Sequence, residues 1–227
     1  MTTVTQPQRI LADLVAENPA RAVVLDRMGL DFCCHGNRSL SDACVEAGLD
    51  AEEVTAALEA AAQVPSAWTG GGRADLAAYV ESTHHSYLHA ELESLEWLAG
   101  KVLSVHGDRH PELQQVAPLV SEIAADLRPH LAAEEEEVFP AIRSLTPGTA
   151  GGGHLAVRIG DLMTEHSALG TKLARLRAMT SGYSAPDDGC ASYRSLYERL
   201  EHLEADTHIH IHLENNVLFP AALVEAV

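Results

Sequence analysis

The chain has 227 residues, enough for one large domain or two unequal ones; it is 46% hydrophobic, only 4% aromatic, and carries a net charge of −18. Such acidity makes nucleic acid and anionic membrane surfaces poor partners, and otherwise serves solubility. The first fifteen residues lack a basic segment followed by an apolar core, and no uncharged apolar run reaches membrane-spanning length, so a soluble, cytoplasmic protein is expected.

Abundant Ala, Leu and Glu favour helices, and an all-α fold is predicted. Residues 1–64 read as a small helical domain. Ile10, Leu11, Leu14 and Val15 keep helical spacing, as do Val23, Val24 and Met28. Asn18-Pro19 starts a second helix that Gly29 can stop; Ser39, Ser41 and Asp50 are candidate N-caps for two more. Residues 65–73, rich in Gly and Pro, form the expected linker. Beyond it, 74–227 reads as a second domain, with long helices over roughly 74–105, 112–145, 154–180 and 190–224. Four such helices with modest connections predict an up-down bundle. Pro118 and Pro129 fall inside the second, where a bend is expected.

That second helix contains Asp126, His130, Glu134 and Phe139-Pro140, and the fourth contains Asp206, His210, Glu214 and Phe219-Pro220. Both read D-x3-H-x3-E-x3-[VL]-F-P, a repeat offset by eighty residues throughout. Residues four apart share a helix face, so each His-Glu pair can address one point. A single H-x3-E is weak, since about one arises by chance at this composition, and His89 with Glu93 reads as that case. Two copies with matched flanks are far more specific. The first and third helices offer His84-His85 and Glu165-His166; Leu88 and Leu92 follow His84 in helical step, and Leu162, Leu169 and Leu173 flank His166. His84 and His166 therefore lie on inward stripes.

Four imidazoles and two carboxylates meeting in a bundle interior need cations, because a buried unpaired carboxylate costs several kcal/mol. Nitrogen and oxygen donors without thiolate suit Fe, Mn or Zn rather than copper(I) or a cluster. Two shared carboxylates suit two metals about 3.5–4 Å apart, with coordination positions left open. Asp126, Glu165 and Asp206 are candidates to orient the imidazoles, Glu135 to Glu137 read as a solvated face, and His208 and His212 should point outward. Cys33-Cys34 lies on a turn between Gly29 and Gly36; it suggests a redox pair or an iron relay, while Cys44 and Cys190 read as structural.

These residues resemble the hemerythrin-like superfamily and, more narrowly, the RIC (repair of iron centres) family. The tail His210 to Pro220 is close to that family's C-terminal motif, and Met28 to Asn37 is similar to its short N-terminal domain. The resemblance implies a hemerythrin-like bundle, a pair of iron ions, and the ligands His84, His130, Glu134, His166, His210 and Glu214, with the two glutamates bridging. It also implies a role in restoring damaged iron–sulfur proteins, by iron donation or with nitric oxide reduction at the same centre. Oxygen or nitric oxide would be the small ligands of a sensor. Oxygen-carrying relatives place a further His four residues after the third-helix His; here that position is Gly170, which argues against dedicated oxygen carriage. Monomer and homodimer are both compatible with the sequence.

Overall fold

The computed structural model describes residues 7–62, 71–145 and 152–225. Most of the expected linker, 65–70, therefore lies outside the described residues.

Four short helices come first: α1 (Leu11–Glu17), α2 (Ala20–Arg27), α3 (Leu40–Ala47) and α4 (Ala51–Ala60). Their ends follow local chemistry. The Ser39 hydroxyl accepts the Asp42 N–H, and the Asp50 carboxylate accepts the Glu52 and Glu53 N–H groups. Gly29 and Gly48 close α2 and α3 in the left-handed region, both at φ +68°. A loop over residues 30–38 carries the cysteine pair, and an Ile10–Ser39 bridge ties α1 to α3.

Four long rods follow. Rod A is α5 (Arg73–Val80), a π turn (Glu81–His85) and α6 (Ser86–His106). Rod B is α7 (Leu113–Ala133), a π turn (Glu134–Val138) and α8 (Phe139–Ser144). Rod C is α9 (Gly152–Met179). Rod D is α10 (Ala191–Leu213), a π turn (Glu214–Leu218) and α11 (Phe219–Glu225). Helix α7 runs through Pro118 and Pro129 without interruption. Rod A packs on B and D, and rod C packs on the same two, which closes an up-down four-helix bundle. No described helix is long and apolar enough to cross a membrane.

Two hydrophobic clusters fill the interior. The larger joins the N-terminal domain, including Leu14, Leu25 and Phe32, to the bundle through residues such as Leu88, Leu127, Leu169 and Leu203. The smaller holds Val80, Val138, Phe139, Leu162, Leu218 and Phe219. On rods A, B and C, and at the π turn of rod D, a short polar stretch falls where one cluster gives way to the other. Those polar residues build the site.

Candidate metal centre

Six side chains from four rods meet in this layer. His85, Glu134, His210 and Glu214 bring ligand atoms within 4.8 Å of one another, and so do His130, Glu134, His166 and Glu214. The two glutamates belong to both groups. Glu134 Oε2 lies 3.4 Å from His85 Nε2, while its Oε1 lies 3.4 Å from His130 Nε2. Glu214 Oε1 lies 3.0 Å from His210 Nε2, while its Oε2 lies 3.3 Å from His166 Nε2. Each carboxylate thus sends one oxygen to each pair of imidazoles.

The imidazole pairs are equally close. His85 Nε2 is 3.2 Å from His210 Nε2, and His130 Nε2 is 2.9 Å from His166 Nε2. Two nitrogens bound to one ion at about 2.0–2.1 Å would sit roughly 2.9–3.4 Å apart at ordinary bond angles. All four carboxylate oxygens are buried without a hydrogen-bond partner, and both glutamates are 0% exposed. Bare charges in that position cost several kcal/mol unless cations meet them. The donor set therefore fits a metal site.

The electrostatics record the same crowding. Burial, with the Glu214 charge alongside, pushes Glu134 up to about 8. Burial acts on Glu214 too, but the His210, His166 and His85 imidazoles outweigh it and hold Glu214 well below the usual carboxylate range. His85 is raised to about 10 and His166 to about 9, because the glutamates overcome the burial that opposes their charge. Burial and the neighbouring His166 push His130 down to about 4.

The sequence expectation needs one correction at the ligand face. Helical spacing put His84 inward, four residues after Val80; the structure turns His85 there instead. Residues 81–85 form a π turn, whose i→i+5 pitch sets Val80 above His85 rather than His84. His84 is still buried, with its ring 6.0 Å from that of His210 at 10° and its Nδ1 2.9 Å from Asp206 Oδ1. The other five expected residues do converge.

The groups behind the imidazoles differ from expectation as well. His130 Nδ1–H donates to Glu165 at 2.8 Å, as the expected orienting role requires. Asp206 instead holds His84, and Asp126 pairs with Lys172 at 2.7 Å, half exposed. Glu135, expected in a solvated run, accepts from His85 Nδ1 at 2.9 Å and from His89 Nε2 at 2.8 Å. Asn215 accepts from His166 Nδ1 at 2.8 Å. No signal in the spacing distinguished Glu135 from Glu136 and Glu137, whereas Asn215 directly follows a ligand candidate. The paired phenylalanines of the repeat find equivalent uses: Phe139 stacks on His85 at 5.3 Å and Phe219 on His166 at 6.2 Å. His130 and Glu165 border a cavity of about 470 Å³ that also touches Asp126, Pro129 and Arg158.

The N-terminal domain closes over one side of this layer. His208 and His212, expected outward, instead face that domain: His208 Nδ1 lies 2.7 Å from Asp26, and His212 is 2% exposed against Phe32. Cys33 and Cys34 are free thiols with sulfurs 3.7 Å apart. Cys33 shares its hydrogen with Cys34, which lowers the Cys34 thiol and, together with burial, raises that of Cys33. Cys34 faces Gly170, where an added Cβ would sit 3.7 Å from the sulfur. A larger side chain there, an imidazole included, would push into the cysteine loop. The two thiols line a cavity of about 320 Å³ with Gly170, Arg177, Glu204 and His208. Of the two cysteines read as structural, Cys44 is buried and Cys190 is exposed, 3.2 Å from His106 Nε2.

A four-helix bundle whose imidazoles share two buried carboxylates defines a metal-binding protein of hemerythrin type. Residues 77–222 match the hemerythrin HHE cation binding domain, and residues 7–62 match a domain of unknown function (DUF542). Among its relatives is the iron–sulfur cluster repair protein ScdA of Staphylococcus haemolyticus, 33% identical over 93% of this chain and 96% of the relative. The iron–sulfur cluster repair protein YtfE of Pectobacterium atrosepticum is 32% identical over 94% of this chain and 96% of its own. The chain belongs to this family of iron–sulfur cluster repair proteins with a hemerythrin-like domain.

Proposed function

We propose that this protein repairs damaged iron–sulfur clusters by giving up iron from a centre of two iron ions, held by His85, His130, Glu134, His166, His210 and Glu214. One observation carries the reading: the four carboxylate oxygens of Glu134 and Glu214 are buried, without hydrogen-bond partners, and divided between two imidazole pairs. The thiolate-free donor set, in a hemerythrin-type bundle, favours iron. When bound, iron would supply exchangeable coordination positions and one-electron chemistry.

The chain's own residues do the rest. Glu135, Glu165 and Asn215 accept from Nδ1 of three imidazoles and so leave each Nε2 lone pair facing inward. Phe139 and Phe219 exclude water behind two of the rings. The cavity that borders His130 and Glu165 brings open space next to one imidazole of a pair, which suits a cargo that must leave. The half-buried, free Cys34 thiol would assist as a redox or relay group.

Metal content and spectrum of protein purified without oxygen test the centre. Two irons per chain are expected for wild type and His84→Ala, with loss of the coupled centre in Glu214→Ala and His85→Ala. Unchanged iron in His85→Ala would remove the ligand assignment. Donation is tested by mixing iron-loaded protein with an apo-cluster protein and sulfide; cluster formation no faster than with equal free iron would remove it. A second reading, nitric oxide reduction, draws on the four protein residues around each position, which leave room for a small ligand. Repeated turnover of nitric oxide with a reductant would favour it, and a single stoichiometric reaction would count against it.

A further inference from the structure

Asn215 reaches in two directions. Its Oδ1 accepts from His166 Nδ1 at 2.8 Å, and its Nδ2 approaches the Cys33 carbonyl at 3.5 Å. The amide orientation is fixed by chemistry, since a carbonyl oxygen only accepts and so must face the NH₂ group. His166 must then donate from Nδ1, and its Nε2 points at Glu214 Oε2, 3.3 Å away. Next in sequence, Asn216 donates from Nδ2 to the same Cys33 carbonyl at 2.9 Å and approaches the Phe32 carbonyl at 3.5 Å. The loop meets it closely: a Cβ on Gly36 would lie 2.8 Å from Asn216 Oδ1 and 2.3 Å from the Phe32 carbonyl oxygen. One carbonyl of the N-terminal domain is therefore gripped by two consecutive asparagines, and the first of them also holds a metal-facing imidazole.

We propose that Asn215 and Asn216 are positioning residues through which docking of the Cys33–Cys34 loop controls how firmly the bundle retains the cation at the His130–His166 pair. The loop steadies the Asn215 amide, the amide steadies the His166 ring, and the ring keeps its Nε2 aimed at the centre. Asn216 touches no ligand candidate on this path; besides the loop carbonyls its Nδ2 approaches His212 Nδ1, at 3.5 Å. Because such coupling is reciprocal, an occupied centre holds the loop shut over the two thiols by the same factor that the shut loop adds to retention. A client or reductant that pulls the loop away would thus loosen iron and uncover thiols in one movement. The inference rests on the iron reading above.

The test uses full-length protein loaded with ferrous iron without oxygen, in wild type, Asn216→Ala and Gly36→Ala. The last disturbs the loop from the N-terminal domain's side. Two rates are read: alkylation of each cysteine by iodoacetamide, resolved by mass spectrometry, and iron release to a ferrous chelator. Both variants should alkylate at Cys33 and Cys34 at least about 5-fold faster than wild type, and one of their two irons should leave faster by a similar factor. In wild type, removing iron should speed alkylation at these cysteines but not at Cys190. Faster alkylation with unchanged iron release would overturn the coupling. Unchanged alkylation in Asn216→Ala would overturn the clamp, and should Gly36→Ala fail to fold, this variant decides alone. A wild type that binds no iron would remove the metal reading, and the coupling with it; the alkylation rates of the iron-free variants would still report on the clamp separately.

Discussion

At the scale of single residues, the groups behind the imidazoles are not interchangeable. Glu135 is shared by His85 and His89, whereas Asp126 faces Lys172 and solvent. Glu135→Ala should weaken iron retention by about 10- to 100-fold, the usual cost of losing a partner behind a ligand, with folding little changed; competition with a chelator measures it. Asp126→Ala should match wild type in the same assay. Asp31 is a different case. Its Oδ1 accepts from the backbone N–H groups of Cys33, Cys34 and His35 at 3.1, 2.8 and 3.4 Å. Burial opposes its charge, but the His35 imidazole, the Cys34 N–H and the Cys33 thiol hold its carboxyl below the usual range. Asp31→Ala should cost about 1 kcal/mol in denaturant unfolding at pH 7, less than the ~1.5–3 kcal/mol usual for hydrogen bonds to a charge, because the side chain is 40% exposed. A depressed carboxyl stabilises above its unfolded value near ~3.9 and loses that effect as pH falls through the folded value, so the gap between variant and wild type should close in acid. Spacing alone brought His130, Glu134, His166, His210 and Glu214 together, because α-helical pitch relates them within a rod. It missed His85 because nothing in Glu81-Ser82-Thr83-His84-His85 marks a wider turn.

At the scale of elements, the four rods were readable from periodicity to within two or three residues at their ends. The angular position of His208 and His212, well away from His210, was readable too. Their surroundings were not, since that face is covered by a domain whose docking no local period encodes. The D-x3-H-x3-E repeat also proved less symmetric than its letters: Asp126 and Asp206 serve unlike partners, while Phe139 and Phe219 serve like ones. Phe139 is fully buried between the π turn of rod B and the His85 ring. Phe139→Ala should cost about 3–5 kcal/mol in chemical denaturation, and iron should partly restore the loss by fixing the ring it supported.

For the whole molecule, the polar layer sets the balance between apo and loaded stability. With Glu134 raised to about 8, its carboxyl is largely protonated at pH 7 in the absence of cations. Glu134→Gln should therefore leave the iron-free protein as stable as wild type, or more so, by thermal denaturation. The same variant should lose the gain that iron confers. For wild type, iron at 100 times its dissociation constant adds about 2.7 kcal/mol, roughly 5–11 °C in Tm for a chain of this size. The π turns carry one more consequence. Rod A houses a spare residue between Val80 and His85, so a chain shortened by one at Ser82 could close that stretch as an ordinary coil of the helix and still deliver the His85 imidazole to its place. The same shortening between Ser86 and Leu88, where no slack exists, would swivel His85 by about 100° against the rest of the rod and empty its corner of the layer.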